Sequence, residues 1–393
     1  MEKHGLSKQD YLDKLTEYVD ILESIKEVII TNIVLLGQVP SPTFKEKRRS
    51  RLFLERLAGF NVDECTTDGY RNPIGIIRGT SKDKPPIFIV AHMDTLFKED
   101  VNHNFTVNQD SISGPGLLDN AVGVGVLASL PVIFKTLGLT FESDIVLAGV
   151  IQSIGKGNLR GIRHLLKTWS TPIRCGVILE GGELGRLSYY SFGMIRGEIE
   201  CNVVTHSEAE PQFRQNAILV LNEVINQILL LRMPQRPRSR VIFGKISGGH
   251  KHGLIAYDAT LGFEIQSDSD EMVKQIYSDI KDIVIGIRHE QGVDLELKTI
   301  SNLHAAKLGY GQPLVKCSLD IMERLGLKTM SSPSESELPI FLSHNIPAVT
   351  LGITHGKNYH LEGSTMEIKP MFKGIAQIIG VIQAIDHGIC DGA

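Results

Sequence analysis

Apolar residues near the start of the chain return every three or four positions: Tyr11, Leu15, Val19, Leu22, Ile25, Val28 and Ile29. That spacing is the period of one helix face, and it predicts a helix here and a second one around Phe53 to Leu57, after the PSPTF turn at 40 to 44. From residue 70 the pattern changes to short β-branched runs between glycine-rich turns, namely IGIIRG, PIFIVAH, DIVLAGVIQ and CGVILEG, with a Gly/Ala-rich helical segment at 120 to 136. Strands alternating with helices predict an α/β fold, a doubly wound, mostly parallel sheet covered on both faces.

Near Phe192 the character shifts. GEIECNVVTH reads as a strand, 214 to 232 as an amphipathic helix, 240 to 246 and 259 to 266 as strands, 270 to 288 as a helix and 292 to 299 as a closing strand. The order strand, helix, two strands, helix, strand is that of an inserted ferredoxin-like α+β unit. Helix and strand alternation resumes after about residue 305. The expected domains are therefore 1–194 together with 305–393, and an insert over 195–304.

Composition narrows the function classes. With 393 residues, 42% hydrophobic and 22% charged, the chain can bury a large core. A net charge of −4 gives no global reason to bind nucleic acid or an anionic membrane. The basic runs Lys45 to Arg51 and Arg232 to Arg240 read as a solvated helix face and a proline-broken loop. Five scattered cysteines without a CxxC pair, together with a charged, amphipathic start to the chain, lead us to expect a cytoplasmic protein. Apolar stretches such as 28 to 36 fall short of the ~20 residues that span a bilayer.

The candidate chemistry begins at IFIVAHMDT, where His92 follows a buried strand and Asp94 stands two residues on, placed to orient an imidazole. Alone, His-x-Asp is more often structural than ligating. The pair His250 and His252 has no cysteine or acidic partner at ligand spacing in the sequence and reads as a strand-pair turn.

His92 is followed, in order, by ISGPGLLDNAVGVGVLASL with Asp119, GVIQSIGKGNLRGIRHLL, VILEGGELGR with Glu180, and IPAVTLGITHGKNYHLEGSTMEI with His360. This ordered set resembles the zinc-dependent metallopeptidase family that includes acetylornithine deacetylase, succinyl-diaminopimelate desuccinylase, aminoacylase and peptidase T, from PSPTF to the C-terminal helix, inserted lid included. The resemblance implies a zinc-exopeptidase-like domain and a lid that often forms dimers. It makes His92, Asp119 and Glu180 ligands of one metal, with Asp119 bridging and His360 on a second. Such paired metals polarise an amide carbonyl and activate water.

The chain departs from that pattern at one place above all. Where the family reads Gly-Glu-Glu-Gly, this chain reads Gln152, Ser153, Ile154 and Gly155, with Gly157, Leu159, Arg160 and Gly161 keeping the alignment. The first lost glutamate is the family's general base, and a serine hydroxyl is a poor proton acceptor at neutral pH. The second is a ligand of the other metal, and Ile154 offers no lone pair, so that site is expected to be weak or empty unless a neighbour such as Glu183 or His355 reaches in. The lid's substrate-gripping Asn and Arg are matched by Gly253 and Gln266, while His206 stays where relatives polarise the carbonyl. Ser336 and Glu337 stand where relatives carry a Thr-Asp or Ser-Asp pair, placing Glu337 on the substrate pocket wall.

The expectation is a metallopeptidase- or deacylase-like protein, catalytically impaired or inactive, with at most one divalent metal, zinc by resemblance, or none. The candidate catalytic positions are Asp94, Ser153 and His206; the alternatives are a single-zinc amidohydrolase that uses metal-bound water and His206 on a substrate without a free carboxylate, and a scaffold subunit of an active paralogue. The expected partners are a small peptide or N-acyl amino acid-like ligand and a second subunit, its own copy or a paralogue, joined through the lid; nucleic acid and membrane are not expected.

Overall fold

A computed structural model describes residues 8–203 and 215–390. It divides into two compact units, Met1–Tyr190 with Lys307–Ala393, and Ser191–Ala306.

The first unit is α/β. Its sheet runs in the order Glu64–Thr67, Pro73–Ile77, Ile145–Val150, Ile87–His92, Cys175–Glu180, Ala348–Gly352, Arg186–Ser188 and Met330–Ser331. The middle four strands are parallel, and their residues are almost all buried, as a sheet covered on both faces requires. Helices Lys26–Gly37, Val122–Thr136 and Ile368–Asp386 pack into one continuous apolar core with these strands. A small antiparallel sheet joins Gly356–Lys357, Thr365–Glu367, Ser111–Ser113 and Thr106–Val107, tying the segment that carries His360 to the approach to Asp119.

The single N-terminal helix expected from periodicity is two helices, Lys8–Ser24 and Lys26–Gly37, broken at Ile25. The break has a packing cause. Leu12, Leu15 and Leu22 belong to a helix that packs on Ile368–Asp386, whereas Ile29, Ile33 and Leu36 belong to one that packs on Val122–Thr136. One straight helix face could not serve both neighbours.

The basic run Lys45 to Arg51 is not wholly a solvated face. Arg49 is only 1% exposed and donates to the carbonyls of Gly37, Val39 and Met93, so the helix Lys47–Gly59 turns one guanidinium inward. The expectation that every apolar stretch is too short to span a bilayer also needs correction. Leu117–Thr136 and Ile368–Asp386 are long and apolar enough by length and composition, but they are 89% and 83% buried as core helices.

The second unit is a four-stranded antiparallel sheet in the order Ser239–Gly248, Asp258–Ser267, Gly193–Asn202 and Asp294–Leu303, with helices Ala217–Leu229 and Asp270–Gln291 packed on it around a separate apolar core. This is the expected split βαβ order. Local sequence sets the helix ends. The Asn216 side chain accepts from Ile218 N, the Ser269 side chain accepts from Met272 N, and Gly292 closes the longer helix in the left-handed conformation. Asp270 and Glu271 at its start and Arg288 and His289 at its end complement the helix dipole.

Candidate metal centre

His92 is the last residue of the fully buried strand Ile87–His92, so the sheet delivers its ring at the carboxyl end of a central parallel strand, where open α/β sheets place ligand sites. Its Nδ1 lies 3.1 Å from the backbone oxygen and 3.6 Å from Oδ1 of Asp94. Asp94 is fully buried and accepts from Thr43 Oγ1 at 2.8 Å, Ser153 N at 3.2 Å and Ile154 N at 2.9 Å. Those bonds occupy both its oxygens and make it a holder of the histidine and of the 153–154 turn.

Asp119 lies in the tight turn Leu117–Ala121, which Gly116 enters at a φ of 69° that a side chain would resist. The next residue anchors the turn: Asn120 Nδ2 donates to Leu179 O at 2.8 Å, and its Oδ1 accepts from Gly123 N at 3.2 Å at the start of the following helix. Asp119 thus turns one oxygen to each of two histidines, Oδ1 at 3.1 Å from His92 Nε2 and Oδ2 at 3.5 Å from His360 Nδ1.

Glu180 ends the neighbouring strand Cys175–Glu180. Just beyond it, a Cβ on Gly182 would lie 2.0 Å from the Tyr359 hydroxyl, so the Tyr359–His360 turn approaches this closely only because residue 182 has no side chain.

His92, Asp119 and Glu180 each offer a ligand atom within 4.8 Å of the others, the one such group of three or more among the described residues. His360 is 69% exposed and stands beside the group through Asp119. Neither Glu183 nor His355 joins it; Glu183 pairs with Arg186 at 2.9 Å.

Electrostatics favour a cation here. Burial alone would lower the His92 pKa, but the bonds to Asp119 and Asp94 outweigh it and raise it well above the imidazole range. Burial likewise opposes charge on Asp119, yet His360 and His92 hold it well below the usual carboxylate range. Burial pushes Glu180 up to about 7, His92 pulling it down and Asp119 and Glu337 adding to the rise. A divalent ion would displace the imidazole proton and ionise Glu180, the linkage expected of a ligand set. One nitrogen and two carboxylates suit zinc and similar borderline ions.

Position 153 has a carboxylate beside it. Ser153 Oγ donates to Glu337 Oε1 at 2.6 Å, and both residues are buried. Glu337 was expected on the pocket wall, but it is 0% exposed. It precedes the helix Leu338–Ser343 and faces Ser153 instead of solvent. Ile154 contributes only its backbone N–H.

Gly253 and Gln266 belong to the second unit. Gly253 lies in the turn between Ser239–Gly248 and Asp258–Ser267 at φ 80°, with open space around it. Gln266 is buried, accepting from Arg240 Nε at 2.7 Å and donating to Glu264. His250 and His252 share the Gly253 turn, where His250 pairs with Asp258 at 3.1 Å. His206 lies outside the described residues.

Two stretches of the chain match known family models. Residues 72–152 match the model described as Peptidase family M28, and residues 189–287 match the Peptidase dimerisation domain of the M20 peptidases. No curated protein matches the chain. In structure it is similar to the aminopeptidase PepT of Bacillus cereus, at 16% identity and a TM-score of 0.68, covering 92% of this chain and 98% of that one. It is similar to the dipeptidase Dug1p of Saccharomyces cerevisiae at 12% identity and 0.78, covering 95% and 98%. A dinuclear metal-binding peptidase of the M20 family from Bacillus subtilis matches at 15% and 0.60, covering 91% and 99%. The chain has the two-domain fold of the M20 metallopeptidases. Within that fold, the M28 match spans His92 and Asp119 and ends at Gln152, while the dimerisation match falls on the inserted unit.

Proposed function

We propose that this M20-fold chain binds one divalent metal through His92, Asp119 and Glu180, with zinc as the metal, and hydrolyses amide bonds in small peptides or N-acyl amino acids far more slowly than a two-metal peptidase. The observation that carries the reading is the triad of convergent ligand atoms within 4.8 Å beside a position, Ile154, that offers only a backbone N–H. When bound, the metal would supply Lewis-acid polarisation of the amide carbonyl and acidify a nearby water. The protein's own part is clearer. Asp94 fixes the His92 ring, Asn120 fixes Asp119, and the strand end fixes Glu180, so the ligands are preorganised and little ordering is lost on binding.

Impairment follows from position 153. Replacing a positioned general base by a hydroxyl costs on the order of 10²- to 10⁴-fold in rate. His360, beside Asp119 and exposed, would mark the remnant of a second metal site with too few donors to fill.

The inserted unit serves self-association in this reading. Its edge strand Ser239–Gly248 exposes Ile242 and Ile246, and the helix Ala217–Leu229 exposes Ile218, Leu219 and Leu229, apolar surface that a second subunit could cover. All five cysteines are free, which fits a cytoplasmic setting.

The test is amide hydrolysis of a dipeptide and N-acyl amino acid panel with metal-loaded and chelator-treated protein. Slow, chelator-sensitive turnover supports the reading, and chelator-insensitive turnover or none at all removes it.

A further inference from the structure

We propose that Ser153 and Glu337 together form a proton relay, in which Glu337, acting through the Ser153 hydroxyl, supplies the proton-accepting carboxylate that position 153 itself lacks. This deepens the hydrolase reading above and rests on it.

Three observations place the relay. First, the hydrogen bond has a defined direction. Ser153 Oγ carries the proton and Glu337 Oε1 accepts it at 2.6 Å, the short distance of an O–H donor on a carboxylate. Second, the pair is locked to the ligand set. Ser153 N donates to Asp94 Oδ1 at 3.2 Å, and that same oxygen lies 3.6 Å from His92 Nδ1. Third, Glu337 is otherwise idle. It is fully buried, and among the described residues its Oε2 has no hydrogen-bond partner, although a buried carboxylate oxygen normally finds one.

A glutamate with only a structural role would use both oxygens. Asp94 shows what that looks like, with Thr43, Ser153 and Ile154 all donating to it. Among the described residues the one side chain that hydrogen-bonds to the Glu337 carboxylate is Ser153, the one side chain of the 153–154 turn that can carry a proton. Burial acts on it most and raises its proton affinity; His92 and the Ser153 bond partly offset this, and Asp94 adds to the rise. A carboxyl raised in this way accepts a proton near neutral pH better than an exposed one.

The step balances. A water O–H bond breaks toward Ser153 Oγ as the Ser153 O–H bond breaks toward Glu337 Oε1, and the water oxygen bonds to the amide carbonyl carbon. The C–N bond then breaks while the proton returns from Glu337 through Ser153 to the leaving nitrogen. Glu337 and Ser153 end as they began, and amide plus water give acid plus amine. Glu337 is a positioning residue here, because only Ser153 meets the water.

The experiment compares native protein with E337Q, E337D and S153A, checked for equal metal content and thermal unfolding. The relay predicts that E337Q lowers kcat by about 10²-fold with little change in KM, and that the acidic limb of the pH profile disappears. E337D, which keeps a carboxylate, restores part of the rate. An independent readout uses metal-free protein: the carboxyl infrared band that E337Q abolishes must shift in S153A. Turnover that E337Q leaves within about twofold of native, or a band that S153A leaves in place, overturns the relay alone. Native protein that hydrolyses none of the panel overturns the hydrolase reading and the relay with it.

Discussion

Ile154 N donates to Asp94 Oδ2 at 2.9 Å, so the turn that carries an apolar side chain at position 154 still braces the carboxylate beside His92. The brace uses the backbone, which any residue provides, and it survives independently of what side chain stands there. The His92 side of the centre therefore has its support whatever side chains stand at 153 and 154.

Ligand removal should be specific. H92Q or D119N should abolish metal binding while leaving the fold intact, because each keeps its volume at a strand end or turn. Elemental content and circular dichroism check this; retained metal in D119N would remove Asp119 from the ligand set.

Restoring the glutamates should depend on Glu337. Ser153 Oγ is 2.6 Å from Glu337 Oε1, so the S153E/I154E double variant places two carboxyls in contact in a buried place, where they must share a proton. The double variant should gain a second metal but little rate. The triple variant that adds E337S should gain at least about tenfold more, scaled to the lower end of general-base effects. Equal rates in the two variants would show that the carboxyls do not meet.

Arg49 should matter far more for stability than a surface arginine. R49M leaves the carbonyls of Gly37, Val39 and Met93 without their charged donor, and the expected cost is about 3 kcal/mol in urea unfolding. A cost near zero would mean that water or a shifted helix replaces those bonds.

A pH prediction concerns Glu46, which is 3% exposed and accepts from Phe44 N and Gln152 N. Burial raises its pKa most, those bonds lower it, and the nearby Asp94 charge adds to the rise. A carboxyl whose folded pKa is raised binds more protons folded than unfolded, so its stabilising contribution is complete below the ordinary glutamate pKa and is lost as pH rises through the folded value. E46Q should therefore flatten the fall in stability over that window, as thermal unfolding between acid and neutral pH would show. An unchanged slope would mean that Glu46 ionises as freely as in the unfolded chain.

Much of this was legible in the sequence, for identifiable reasons. His92 and Glu180 sit at the ends of buried apolar runs and Asp119 in a Gly/Pro turn, so pattern and motif order locate them. The split βαβ insert is legible because its strands alternate and its helices carry caps such as Ser269. Other features depend on contacts that have no local signature. Ser153 and Glu337 meet across 184 residues. Arg49 looks like one charge in a basic run because its partners are backbone carbonyls, which every residue has. The break at Ile25 follows from which helix each half packs on, and periodicity alone continues through it.

The central claim is that the centre holds one metal, and metal content per chain tests it most directly. Protein purified without chelators and analysed by elemental spectrometry should contain about one zinc, or another divalent ion, per chain, and H92Q should lose it. Two per chain would mean that some residue replaces the donor missing at Ile154, and none would mean that His92, Asp119 and Glu180 converge without holding an ion.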